Sequence, residues 1–291
     1  MNDRIRYIVI TPVRDEADHI ERTIASVVHQ TVRPHRWIVV DDGSTDGTAQ
    51  VLDRRAAEHS WITVVHRGNR GFRSAGGGVM EAFLAGYDRA DADWDYLVKL
   101  DGDLSFASDY FEACFGRFET DPSLGIGGGT VCQIESGNLR VDATGDPPFH
   151  VRGATKIYRR ACWEAIGLPV VAAGWDTIDE VKANRLGWST RTFSELNIVQ
   201  HKPTGAAAGK WADAFKNGRA NYMTGYHPVF MLAKCAKRSM RRPILLEAAA
   251  LLAGYCSGYL QRTPPVVDPA TIRYVRNQQL RRLLLRPSIY G

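Results

Sequence analysis

The chain has 291 residues, 44% hydrophobic and 24% charged, a composition suited to a globular protein that can bury a core without staples. Its five cysteines are odd in number and form no C-x-x-C pair, which argues against a disulfide framework and a structural zinc site and for a reducing, cytoplasmic setting. The net charge of +5 is unevenly spread: residues 202–291 hold 15 Lys/Arg and 3 Asp/Glu, whereas residues 1–201 hold 22 and 29.

The elements follow in chain order. Residues 7–11 are a continuous apolar run ended by Pro12, the pattern of a strand buried on both faces. Residues 16–30 carry Ile20, Ile24, Val27 and Val28 at helical spacing. A second strand is expected at 37–40, a helix at 45–59, a third strand at 61–65, a helix near 80–87 and a fourth strand at 96–100. Strand–helix alternation with short connections predicts a mostly parallel sheet flanked by helices. Beyond residue 109 the pattern is mixed. A helix near 110–119 leads to a Gly-rich stretch read as irregular, followed by a strand at 155–159 and helices at 160–166 and 179–186. Strands at 190–193 and 197–201 complete this half. From Pro203 the chain reads as all-helical, with helices at 211–222, 228–237, 243–260 and 270–285. The expected organisation is therefore an α/β part in two halves (1–105 and 106–205) and a basic helical extension (206–291). The N-terminus shows no charged segment leading into a long apolar one, so no signal peptide is expected.

In parallel sheets ligands bind beyond the carboxyl ends of the strands. The polar groups expected there are Arg14 to Glu16, Asp41 to Ser44, residues 67–78 and Asp101 to Asp103. Asp101-Gly102-Asp103 places two carboxylates one residue apart on a glycine turn. Such a pair can reach one hard cation, Mn2+ or Mg2+, which keeps places for water and phosphate oxygens. A nucleotide diphosphate would supply those oxygens. Taken alone, D-x-D is also an ordinary acidic turn. Asp41 and Asp42, at the end of another strand, can accept from a base N–H or ribose hydroxyls, and Ser44 or Thr45 can cap the next helix.

Three separated runs stand in one order: Ile10-Thr11-Pro12-Val13-Arg14-Asp15-Glu16, Val40-Asp41-Asp42-Gly43-Ser44 and Asp101-Gly102-Asp103. Together they resemble the inverting family-2 glycosyltransferases of GT-A fold, across about the first 200 residues. The resemblance implies that Thr11, Pro12, Glu16 and Asp42 cradle the nucleoside, that Asp101 meets ribose or donor sugar, and that Asp103 ligates the metal. His201 is implied as a third ligand, with a structural histidine as the plainer reading. Of Arg67, Arg70 and Arg73, any one can meet the base or diphosphate, or all can be solvated loop residues. Aligned on Arg185-Leu186-Gly187, Asp176 falls on the family's catalytic Asp, with Trp175 where the family has Glu. Asp176 is the first choice for general base and Asp179 the second.

The implied partners are a nucleotide sugar, with uridine as the default base, and a glycan or lipid-linked acceptor. The basic tail suggests either a peripheral location at the inner face of a membrane or self-association. Within it, the apolar stretch 243–260 is short for a spanning helix and reads more readily as a packed hairpin. No nucleic acid partner is expected, because no recognition motif accompanies the charge. Two other functions fit the same core. A nucleotidyltransferase would need a Gly-rich loop after the first strand, where this chain has none. A non-catalytic nucleotide-sugar-binding protein would not need Asp176.

Overall fold

The computed structural model describes residues 5–69, 71, 77–142, 146–202, 209–239 and 245–291. Within these, a mixed sheet with strand order β3-β2-β1-β4-β8-β6-β9-β5 runs through the molecule, and β7 pairs with β6 beside it. The first four strands, β1 (Tyr7–Val13), β2 (Arg36–Asp41), β3 (Ile62–His66) and β4 (Tyr96–Leu100), are parallel neighbours. They are connected through α1 (Ile20–Val28), α2 (Thr48–Glu58) and α3 (Gly77–Tyr87). The apolar runs are continuous because both faces of this sheet are covered. Tyr7, Val9, Trp37 and Val39 enter one core, while Ile8, Ile10, Ile38 and Val40 enter the other. Burial of each such side chain contributes on the order of 1.5–3 kcal/mol. Pro12 sits opposite Val40 in β1, beyond the β1–β4 register that ends at Ile10 and Lys99, so its missing N–H interrupts no bond to β4.

Beyond β4 the sheet turns mixed. After β5 (Leu104–Phe106) and α4 (Tyr110–Thr120) come β6 (Leu124–Glu135), β7 (Asn138–Val141) and β8 (Thr155–Arg159). Then follow α5 (Arg160–Ile166), α6 (Trp175–Arg185) and β9 (Ser189–Gln200). β8 is antiparallel to both β4 and β6, and β9 is parallel to β6 but antiparallel to β5. The Gly-rich stretch is a strand, not an irregular segment. Side chains at Gly127 and Gly128 would collide with the Phe193 ring and the Thr155 carbonyl, within 2.6 Å of each. The glycines therefore mark close packing. The two expected strands at 190–193 and 197–201 are one strand, β9, whose pairing with β6 shifts register between Gly129 and Thr130.

The remaining helices are α7 (Gly209–Met223), α8 (Pro228–Ser239), α9 (Leu246–Leu260) and α10 (Pro269–Leu283). They are packed on the α/β part, since Phe149 and Val181 share one apolar cluster with Tyr226, Met231, Leu251, Tyr255, Val275 and Tyr290. α7 and α9 cross so tightly that an added Cβ at Gly254 would lie 1.9 Å from the Phe215 carbonyl oxygen, and one at Gly218 1.9 Å from that of Leu251. None of the helices among the described residues is long and apolar enough to cross a membrane. Gly254→Ala is expected to force this crossing apart and lower stability by about 1–3 kcal/mol, read as a lower denaturation midpoint.

Candidate active site

The loops after β1, β2 and β4 converge at one end of the sheet. The first two are laced together. Asp15, with φ of +53°, donates its N–H to Ser44 Oγ (3.0 Å), and its carboxylate accepts from the Thr45 N–H (2.9 Å). Glu16 N–H donates to Thr48 Oγ1 (2.9 Å), and Ala17 N–H to Asp46 (3.0 Å). Ser44 and Thr45 are thus taken up in joining the loops. The α2 N-cap is Gly47, in the left-handed region, and Asp46 accepts from the Thr48 N–H (3.1 Å).

Asp41 is buried. It accepts from the Ser44 N–H (2.9 Å) and from His66 Nδ1 (3.0 Å), whose other ring nitrogen meets Asp53 (2.9 Å). Hydrogen bonds to Asp41 and Asp53 raise the His66 pKa. Asp41 therefore shapes its turn. Asp42 donates its N–H to the Val13 carbonyl (2.9 Å), and its carboxylate accepts from Arg67 (2.7 Å). Thr11 is fully buried, and its hydroxyl accepts from the Trp37 indole (2.9 Å). Arg14 donates to Asn69 Oδ1 (2.9 Å). Arg70 and Arg73 lie outside the described residues.

Gly102 allows the third loop to close. A Cβ there would stand 2.5 Å from Val13 Cγ1 and 3.3 Å from Ile20 Cδ1, so the D-G-D turn lies directly against the end of β1. Asp101 is bonded to Lys99 Nζ, which also donates to the Gly153 carbonyl (2.5 Å). Burial pushes the Asp101 pKa up, Lys99 opposes it and Asp103 adds to it. Asp103, 5% exposed, accepts from the Gln200 amide (3.2 Å). Its pKa is also raised by burial, opposed by the Gln200 bond and reinforced by the charge of Glu16. Glu16 holds Lys202 Nζ on Oε1 (2.8 Å), while its Oε2 is buried without a hydrogen-bond partner. Of the acidic groups here, Asp41, Asp42, Asp101 and Glu16 have basic side chains as partners, whereas Asp103 receives its side-chain bond from a neutral amide. A buried, orphaned carboxylate oxygen beside a carboxylate with a neutral partner is a fit for a hard divalent cation that takes its other ligands from phosphate and water. Among the described residues there is no ready-made group of three or more His, Cys, Asp or Glu ligands.

His201 follows β9, next to Gln200. Its Nδ1 lies 3.0 Å from Arg22 and its Nε2 2.8 Å from Ser105 Oγ. Burial, then Arg22 and His19, lower its pKa, which favours the neutral ring. Beside it is a small cavity of about 110 Å³ lined by Gln133, Ile134, Val199, Gln200 and His201.

Asp176 lies in the first turn of α6, after Gly174. Its half-exposed carboxylate packs over Gly153, the residue whose carbonyl binds Lys99, and so borders the Asp101 loop. Asp179, one turn later, is enclosed. One oxygen pairs with Lys156 Nζ (2.9 Å) and the other accepts from the Tyr158 hydroxyl. Burial lifts its pKa to about 6, against the pull of Lys156. Glu180 binds Lys156 (2.7 Å), the Val151 N–H (2.7 Å) and His150 (2.9 Å). The structure therefore places Asp176 at the site and keeps Asp179 behind it. Neither lysine stands among the site residues expected from the sequence; the available signal was Lys99, the one charge inside the apolar run of β4, whereas Lys156 in Thr-Lys-Ile-Tyr-Arg carries no such mark. Both ammonium groups approach the Trp175 ring, Lys99 at 5.5 Å and Lys156 at 5.4 Å from its centroid.

Comparison with known proteins identifies the family and the fold. The model of glycosyl transferase family 2 matches residues 8–172, more than half of the chain, and the chain belongs to that family. A polyprenol monophosphomannose synthase of Mycolicibacterium smegmatis is 32% identical over 133 residues, 43% of this chain and 48% of that protein. The chain spans about half the length, or less, of such curated relatives. Among solved structures, the mannosyltransferase PcManGT from Pyrobaculum calidifontis, in complex with GDP-Man and Mn2+, superimposes with a TM-score of 0.57 at 19% identity, covering 98% of this chain and 76% of that one. GalNAc-T7 with UDP, GalNAc and Mn2+ gives 0.64 at 12% identity, covering 99% and 56%. The fold is GT-A.

Burial alone would lower the His150 pKa, but the Glu180 charge and hydrogen bond raise it from 6.5 to about 9. A histidine held above its unfolded value contributes its full stabilisation below about pH 6.5 and loses it as pH rises through about 9. The melting-temperature advantage of the wild type over His150→Gln is therefore expected to be largest below pH 6.5 and to fade by about pH 9.

Proposed function

We propose that the protein transfers a sugar, with inversion, from a nucleoside diphosphate donor to a hydroxyl of a glycan or lipid-linked acceptor. The observation that carries this reading is the convergence of Asp42, Asp101, Asp103 and Glu16 at the ends of three strands, with Asp176 on the facing helix turn. Uridine is the default base, because Asp42 can accept from its N3–H. In this reading Asp42 and the β1 loop hold the nucleoside, and Asp101 meets ribose or sugar. Asp103, with the orphaned Glu16 oxygen, would hold Mn2+ or Mg2+, which supplies charge stabilisation to the departing diphosphate. Both structural relatives are complexes with Mn2+, which supports this choice.

Asp176 acts as general base. It takes the proton of the acceptor hydroxyl as that oxygen attacks the anomeric carbon from the face opposite the diphosphate, whose bond to the sugar breaks. Asp179 is a poor base, since both its oxygens are occupied by Lys156 and Tyr158. His201 serves as a third metal ligand only if the contacts of its ring nitrogens to Arg22 or Ser105 rearrange. The name of the mycobacterial relative supports a second acceptor class, a polyprenol phosphate, which would attack through a phosphate oxygen and would not need Asp176 as a base. Such an acceptor would bring the protein to the inner face of a membrane, where the basic extension finds anionic lipid.

Two experiments test the assignment. Asp103→Ala is expected to abolish the thermal shift that Mn2+ and a nucleotide diphosphate produce together; an unchanged linked shift would sink the metal site. Asp176→Asn is expected to leave donor binding and melting temperature near wild type while slowing transfer about 10²–10⁴-fold. Asp179→Asn should chiefly reduce stability. If Asp179→Asn instead stops transfer in a stably folded protein while Asp176→Asn does not, the base is misassigned.

A further inference from the structure

The tail contains a surface that the fold leaves uncovered. α10 starts at Pro269, capped by Asp268, which accepts from the Ala270 (2.9 Å) and Thr271 (3.0 Å) N–H groups. Its first three turns are anchored. Thr271, Val275 and Gln279 are buried, Arg276 donates to the Gly225 carbonyl (3.0 Å), and Gln279 accepts from the His227 N–H (2.7 Å) and donates to the Tyr290 hydroxyl (3.1 Å). After Gln279 the burial stops. Every residue from Leu280 to Arg286 is exposed, in the order Leu-Arg-Arg-Leu-Leu-Leu-Arg. Leu284 is 63% and Leu285 90% exposed, and Leu285 has φ of +54°. Leu280, Leu283 and Leu284 stand three and four residues apart, which puts them on one side of the helix. Arg281 is steadied by the Pro287 carbonyl and Arg282 by the Gly291 main-chain oxygen.

We infer that the segment 280–286 is a docking surface for an anionic phospholipid bilayer. A leucine cluster flanked by arginines matches the chemistry of such an interface, with apolar side chains entering the acyl boundary and guanidinium groups meeting lipid phosphates. Charge selects this occupant. From residue 269 to 291 the chain has five arginines and no Asp or Glu. A second copy docking through the same face would bring like charges together. The apolar stretch that looked most lipid-seeking in the sequence, now α9, is not available, because Ala250, Leu251, Gly254 and Gly258 are buried, with the glycines against α7. α10 packs on α6, whose first turn carries Asp176, so docking at 280–286 would fix the acceptor side relative to the lipid. This inference deepens the membrane-proximal part of the proposed function.

The test is co-sedimentation of the full chain with vesicles of phosphatidylglycerol and phosphatidylcholine, against phosphatidylcholine alone. Binding is expected on the anionic vesicles, weakened about tenfold or more by high salt or by omitting phosphatidylglycerol. The triple variants Leu283→Ser/Leu284→Ser/Leu285→Ser and Arg281→Gln/Arg282→Gln/Arg286→Gln should each lose it. Both should keep wild-type donor turnover with a water-soluble acceptor, which excludes unfolding as the cause. Failure to bind anionic vesicles, binding unaffected by the leucine variant, or a dimer in solution that the leucine variant dissociates would each overturn the inference. Any of these outcomes with turnover intact leaves the transferase reading standing; that reading falls on the Asp103 and Asp176 variants instead.

Discussion

The structure depends on a buried charge cluster centred on Lys156. An ammonium group with no solvent exposure is tolerable only if its partners are fixed around it, and here Asp179 and Glu180 surround it. Burial alone would lower the Lys156 pKa; the two carboxylates reverse that and raise it. The cluster draws on three separate pieces of chain. Lys156 and Tyr158 come from β8, Asp179 and Glu180 from α6, and His150 and the Val151 N–H from the preceding loop. None of these can move without stranding a charge in a low-dielectric interior.

The same constraint reaches the ends of the parallel strands. Trp175, the first residue of α6, meets both Lys156 and Lys99 with its ring, and Lys99 ties the Gly153 carbonyl to Asp101. The α/β half that carries Asp42 and Asp101 is thereby held in register with the helix turn that carries Asp176. Such rigidity suits the proposed transfer, in which an acceptor oxygen, an anomeric carbon and a leaving group would have to be aligned on one line. Much of the carboxylate charge at the strand ends is met by basic side chains of the protein, which keeps a densely acidic site compatible with folding.

The helical extension belongs to the same body. Its core includes Phe149 and Val181, and α9 is committed to α7 through glycine contacts that leave no room for lipid. The extension is therefore part of what supports α6 from behind, and the far end of α10 is where it joins exposed leucines to arginines without a break.

Much of this was legible in the chain itself. Continuous apolar runs at β1, β2 and β4 specify strands buried on both faces, and short links between them specify parallel order, so a mostly parallel sheet and the clustering of Asp42, Asp101 and Asp103 follow from local pattern, while the GT-A fold was implied by the resemblance that the three motifs carry. What local pattern leaves open is whatever depends on which segments meet. Glycines 127 to 129 look irregular in sequence because the crowding that demands them comes from Phe193, Thr155 and Leu196, far along the chain. Ser44 looks like a helix cap because its partner, the Asp15 N–H, belongs to another loop. Asp176 and Asp179 are equivalent as letters. The fold separates them by enclosing one with Lys156 and Tyr158 and leaving the other half-exposed over Gly153, since burial and pairing are properties of the packed molecule and not of the residue.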